Sequence, residues 1–137
     1  MMISSKGRYA LRVMIDLAEH PDEGYIPLQT IAARQGISEK YLESILAVLS
    51  KAKLLDALRG KGGGYRLSRP AGSYTAFEIL SLTEGTLAPV TCLESGQQCE
   101  NAANCRTLPL WQGLDRVIAE YLGSYALADL VTMWKKP

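Results

Sequence analysis

The chain has 137 residues, 47% of them hydrophobic, enough for one globular domain or for one domain with an appended helix. No apolar run approaches the roughly 20 residues of a membrane span, and Arg8, Arg12 and Asp16 break any leader-like apolar stretch near the start, so a cytoplasmic protein is expected. The net charge of +1 conceals an asymmetry: residues 1–70 carry +4 and residues 71–137 carry −3, making the N-terminal half the better surface for a polyanion.

Ser4 or Ser5 is placed to cap a first helix in which Tyr9, Ala10, Val13, Met14, Leu17 and Ala18 recur as an apolar stripe. It should stop near His20 and Pro21, ahead of a turn at Asp22, Glu23 and Gly24 and a brief extended piece through Ile26. A short second helix is expected over about 28–35, with Gly36 as its terminator. Ser38 can cap a third helix, because its hydroxyl accepts from backbone N–H groups that lack an intrahelical partner. In that helix Leu42, Ile45, Leu46 and Leu49 share one face. Glu39, Lys40, Glu43, Ser44 and Lys51 share the other, with Tyr41 near the start. Beyond Lys53 the period shortens, and residues 54–59 and 65–68 read as two strands around Gly60, Lys61, Gly62, Gly63 and Gly64.

Helix, short helix, turn, helix and hairpin make a winged helix-turn-helix. The major groove admits one α-helix whose polar side chains read base edges. A hairpin bearing Arg59, Lys61, Arg66 and Arg69 can follow the phosphate backbone or enter the minor groove. Two nucleotide-binding readings fail. The mononucleotide loop G-x-x-x-x-G-K-S/T is missing, and the dinucleotide fingerprint would need glycine where Tyr65 stands.

Thr75 and Glu78 form a capping box opening a helix to about Glu84, which Gly85 ends. Residues 86–106 show no periodicity, and such a long irregular segment is uncommon without a function. Pro109 suits the first turn of a long helix. Its Leu110, Leu114, Val117, Ile118, Tyr121, Leu122 and Tyr125 make a stripe wide enough for two partners, the first helix and a second copy of the chain. A short helix near 128–134 closes the sequence. The expected fold is mainly α with a small β-hairpin wing: a DNA-binding domain at 1–84, a cysteine-bearing loop at 85–107, and a dimerisation helix with its tail at 108–137.

All three cysteines, Cys92, Cys99 and Cys105, fall in the irregular loop. An odd number argues against a disulfide framework, and the spacing is too wide for the paired knuckles of structural zinc. Thiolates are soft ligands suited to iron–sulfur clusters, and ligation would order a loop with few apolar side chains. Three free thiols remain the alternative. A thiol enzyme lacks a base, since His20 is the only histidine and stands far from every cysteine in sequence.

The segments SSKGRYAL at 4–11, IPLQTIAARQGIS at 26–38, YLE at 41–43 and RGKGGGYRL at 59–67, followed by the three cysteines, resemble the IscR-type winged-helix regulators. That group also includes the nitric-oxide sensor NsrR and the cysteine-metabolism regulator CymR. The resemblance covers nearly the whole chain. It implies a homodimeric, non-enzymatic transcription factor on a double-stranded DNA operator, with an iron–sulfur cluster on Cys92, Cys99 and Cys105. It also places Glu43 as the base-discriminating residue, Ser38, Lys40 and Tyr41 as recognition-helix contacts, and Arg59, beside Lys61, on the wing.

Two positions depart from the pattern. Leu108 stands where the iron–sulfur regulator has a ligating histidine, and Arg8 stands where the nitric-oxide sensor has a ligating aspartate. The fourth ligand is open among Glu94, Glu100, Asn104, water and a small thiol, and both 2Fe–2S and 4Fe–4S clusters fit three cysteines. The alternative function keeps the DNA binding and replaces the cluster by direct thiol oxidation or by an effector enzyme, as with CymR.

Overall fold

The computed structural model describes residues 3–94 and 104–134. Helix α1 spans Ser5–Glu19, α2 Leu28–Gln35 and α3 Glu39–Lys51. Strands β1 (Leu55–Leu58) and β2 (Gly64–Leu67) follow, then α4 (Ala76–Glu84), α5 (Leu108–Gly123) and α6 (Leu127–Met133). Single 3-10 turns lie at Pro21–Glu23, Ala71–Ser73 and Thr91–Leu93. Among the described residues no helix is long and apolar enough to cross a membrane.

The helix starts obey the expected capping chemistry. Ser4, Ser38 and Thr75 accept through their side-chain oxygens from the backbone N–H groups of Gly7, Tyr41 and Glu78, each at 3.1 Å. Gly36 ends α2 at φ +66°, a left-handed conformation that costs glycine least, and its N–H donates to Ala32. The box at Thr75 is only half closed, because the Glu78 carboxylate reaches out to pair with Arg69.

One apolar core forms where the stripes of α1 and α3 meet α4. Val13, Met14, Leu42, Ile45, Leu46, Leu49 and Ile79 are all fully buried in it. The wing pairs antiparallel, with Leu55 opposite Leu67 and Leu58 opposite Gly64. Ile26 exchanges two backbone hydrogen bonds with Tyr65, both 2.9 Å, so the extended piece adds a one-residue third strand. Position 64 must be glycine here, since a Cβ would run into the Ile26 carbonyl.

The C-terminal segment departs from the expectation. It is α6, with fully buried Leu127, that packs on α1, while α5 lies against α4. The backbone decides this. Ala76 N–H donates to the Tyr125 carbonyl and Leu127 N–H to the Tyr74 carbonyl, both at 2.9 Å. These bonds stitch the α5–α6 turn to the start of α4, so α6 joins the core of the winged-helix unit through Leu127.

Candidate nucleic-acid interface and thiol site

Burial of Leu42, Ile45, Leu46 and Leu49 fixes the rotation of α3. By helical geometry Glu39, Lys40, Glu43, Ser44 and Lys51 then face solvent, and all five are exposed. Ser38 is committed through its hydroxyl to capping. Tyr41 is half-buried, its ring edge-on to Tyr9 of α1 with centroids 5.8 Å apart. Arg12 stacks on Tyr9, 4.8 Å from its centroid, and donates to the Gln35 side chain and carbonyl, both at 3.0 Å. The first turn of α3 is therefore braced by α1.

On the wing, Gly63 N–H donates to the Gly60 carbonyl at 3.0 Å and closes the tip. Arg59 precedes that turn and Lys61 lies within it, both exposed. Arg66 and Arg69, expected to serve the same cationic edge, are engaged within the protein. Arg66 stacks 4.3 Å from the Tyr25 centroid and lies 3.6 Å from Asp56. Arg69 stacks 4.2 Å from the Tyr74 centroid, donates to Ser73 and pairs with Glu78. Among the described residues Lys40, Glu43, Arg59 and Lys61 have no ion pair, so their charges face outward uncompensated.

Cys92 and Cys105 are free and partly exposed, while Cys99 lies outside the described residues, as does Glu100. The Cys105 Sγ is 3.5 Å from the Thr107 hydroxyl, whose hydrogen bond, with backbone N–H groups of Thr107 and Leu108, holds this thiol below the ordinary range. Leu108 opens α5 as an apolar side chain, and Arg8 donates to Ser5 at 3.2 Å. Among the described residues no group of three or more His, Cys, Asp or Glu side chains is arranged to hold a metal ion.

With this geometry in place, comparison with known proteins is direct. Residues 3–133 match Rrf2, described as an iron-dependent transcriptional regulator. The chain belongs to the Rrf2 family. The regulator IscR of Xenorhabdus nematophila is 40% identical over 131 residues, covering 96% of this chain and 79% of that protein. The structure of CymR, the global cysteine regulator of B. subtilis, superposes with a TM-score of 0.80 at 36% identity, covering 98% of this chain and 99% of that one. That of T. potens IscR gives 0.75 at 35% identity, over 97% of this chain and 88% of that one. This Rrf2 protein is thus a DNA-binding transcriptional regulator of IscR-like and CymR-like type.

Three features of the Rrf2 chain escaped the sequence reading. Asp16, a buried acid at 3% exposure, accepts from Arg34 at 2.6 and 3.0 Å and from Gln35 at 2.8 Å, fastening α1 to the end of α2. This hydrogen bond raises the Arg34 guanidinium further above its already high range. Glu84 accepts from Ser4 N–H at 3.0 Å and Ser4 Oγ at 2.7 Å, placing a carboxylate at the positive end of α1. Tyr74 is fully buried with its hydroxyl among backbone groups of the wing. A charge inside an apolar stripe was the one available signal, for Asp16.

Proposed function

We propose that the chain acts as a homodimer on a double-stranded DNA operator, and that an iron–sulfur cluster on Cys92, Cys99 and Cys105 modulates its binding. The observation that carries the DNA half is the outward row of polar side chains on α3 beside a cationic wing tip, both on one braced scaffold. In this reading α3 enters the major groove, with Ser38, Lys40 and Tyr41 at its leading end. Glu43 accepts from cytosine N4–H2 and rejects edges that offer only acceptors. Arg59 and Lys61 sit on phosphate.

Dimerisation rests on α5. None of its residues is buried, and Leu110, Leu114, Val117 and Tyr121 expose 63, 41, 59 and 56% of their surface. A second copy covering this row would hold two recognition helices at two half-sites.

The thiols suit a cluster. Cys92 and Cys105 are accessible soft donors, and the lowered Cys105 thiol favours the thiolate that ligation requires. A bound cluster supplies one-electron redox chemistry responsive to its surroundings. The residues of this chain do the rest: the segment that carries the cysteines joins the end of α4 to α5, so a group held there bears on both the core and the dimer face. The second reading, a cluster-free regulator controlled by thiol oxidation or by an effector enzyme, draws on the likeness to CymR, solved from Staphylococcus aureus also in an oxidised form with a TM-score of 0.78. Leu108 and Arg8 in place of known ligands favour it as well. Anaerobic purification with an absorption spectrum and iron and sulfide counts separates the two: iron and sulfide in stoichiometric amounts support the cluster, and their absence transfers the switch to thiol oxidation or an effector enzyme.

A further inference from the structure

Tyr74 is the largest fully buried side chain among the described residues, yet it carries a hydroxyl that must be satisfied. That oxygen donates to the Leu54 carbonyl at 2.7 Å, immediately before β1. It accepts from the N–H groups of Ser68 at 3.1 Å and Arg69 at 3.2 Å, immediately after β2. One atom thus ties together both ends of the wing hairpin. The anchor itself is held on every side. Its backbone carbonyl accepts from Leu127 N–H, the next two residues pair with Ala126 and Tyr125, and its ring is covered by Arg69, which Glu78 of α4 holds in place. Ser68 adds a second tie at the same root, donating through its hydroxyl to the Lys53 carbonyl at 2.8 Å. Buried Leu55, the bridge to Ile26 and the Arg66–Tyr25 stack seat the strands on the body, while the tip beyond them is largely glycine and held by cross-strand bonds.

We infer that Tyr74 is the positioning residue of the wing: its buried hydroxyl sets the pose in which Arg59 and Lys61 meet the DNA backbone. The inference rests on the proposed wing contact with DNA. It does not ask Tyr74 to touch nucleic acid. Its effect is to keep the hairpin from sampling other directions, so that the ordering entropy of the wing is met on folding and not on binding.

Tyr74→Phe in the full-length protein removes the hydroxyl and keeps the ring. Amide exchange of wing residues should then accelerate by about tenfold while the amides of α1 hold their rates, and operator affinity should fall by about tenfold, the equivalent of one buried hydrogen bond. A general loss of stability would not reproduce the decisive readout, a pair of double-mutant cycles. Tyr74→Phe combined with Arg59→Ala should bind little worse than the weaker single variant, because a wing without its cation has nothing left to position. Combined with Lys40→Ala, on the recognition helix, the two losses should multiply. Losses that multiply in both cycles, or wing exchange rates equal to the parent's, would overturn the inference. If Arg59→Ala alone binds like the parent, the wing contact itself fails, and the exchange comparison still decides whether Tyr74 holds the hairpin. Should Tyr74→Phe not fold, Glu78→Gln weakens the hold on Arg69 over the ring, which Ser73 still shares, and should speed wing exchange by about twofold, with unchanged exchange overturning the inference.

Discussion

Helices α1 and α5 have similar sequence patterns and opposite fates. Each carries an apolar stripe at helical spacing, over 15 and 16 residues respectively. The stripe of α1 is buried from Gly7 to Leu17 by α4, α6 and the recognition unit, whereas α5 has no buried residue and leaves Leu110, Val117 and Tyr121 more than half exposed. The difference lies in the partners available within one chain. Helix α1 has neighbours on several sides, and it even accepts a buried acid because Arg34 and Gln35 surround it. Helix α5 has α4 on one side and water on the other. A large apolar row facing solvent marks an association surface, so periodicity reports that a face will be covered and leaves open by what.

That contrast can be broken in solution. Leu114→Asp places a charge in the exposed row and should convert a dimer to a monomer in sedimentation at micromolar concentration. Operator affinity should fall on the order of 100-fold or more, because two half-sites are no longer held together. A parent chain that is already monomeric would end the dimer reading. Leu46→Ala, in the fully buried face of α3, should instead cost about 3 kcal/mol in denaturant unfolding, with the association state unchanged. If the two substitutions had similar effects on both measurements, the division between a core helix and an interface helix would be mistaken.

The remaining predictions probe the surfaces that each region supports. Cys92→Ala or Cys105→Ala should abolish cluster absorbance and shift operator binding by about 1–3 kcal/mol while circular dichroism stays at the parent level, since neither thiol belongs to the core. Identical operator profiles for parent and cluster-free protein would remove the cysteines as the switch. Glu43→Ala should change affinity by about 1–3 kcal/mol only at operators differing in the base it reads, and should bring the two forms onto the same sites. Smallest of all, Arg59→Ala should weaken binding uniformly across sequences and lower the salt slope by about one unit per subunit.

Capping and termination were legible in the chain because their chemistry is local. Ser4, Ser38 and Thr75 each bond a backbone N–H three residues on, and Gly36 answers only to its own dihedral angles. The buried face of α3, and with it the exposure of Lys40 and Glu43, followed from periodicity alone, and the glycine-tipped hairpin from its turn residues. The reading placed Arg66 and Arg69 beside Arg59 and Lys61 on the wing without showing that these two find Tyr25, Asp56, Tyr74 and Glu78 in the folded protein, because a charge count cannot see a neighbour.

Contacts between residues distant in the chain belong to the tertiary structure. Ser4 and Glu84 are separated by 80 positions, and Leu54 and Tyr74 by 20, with no periodicity to relate them. The order of α5 and α6 is a similar case. Both are amphipathic, and hydrophobicity alone sent the longer one to α1. Two backbone hydrogen bonds at Tyr74 and Ala76 fold the turn back so that the shorter helix buries Leu127 there and the longer one keeps its apolar row outside. Sequence determined which faces are apolar, where helices begin and end, and which side chains can carry charge to DNA, because each depends on neighbours within a turn or two. Which face meets which, and which cations remain free, was decided by packing, because it depends on where the whole chain brings its distant parts together.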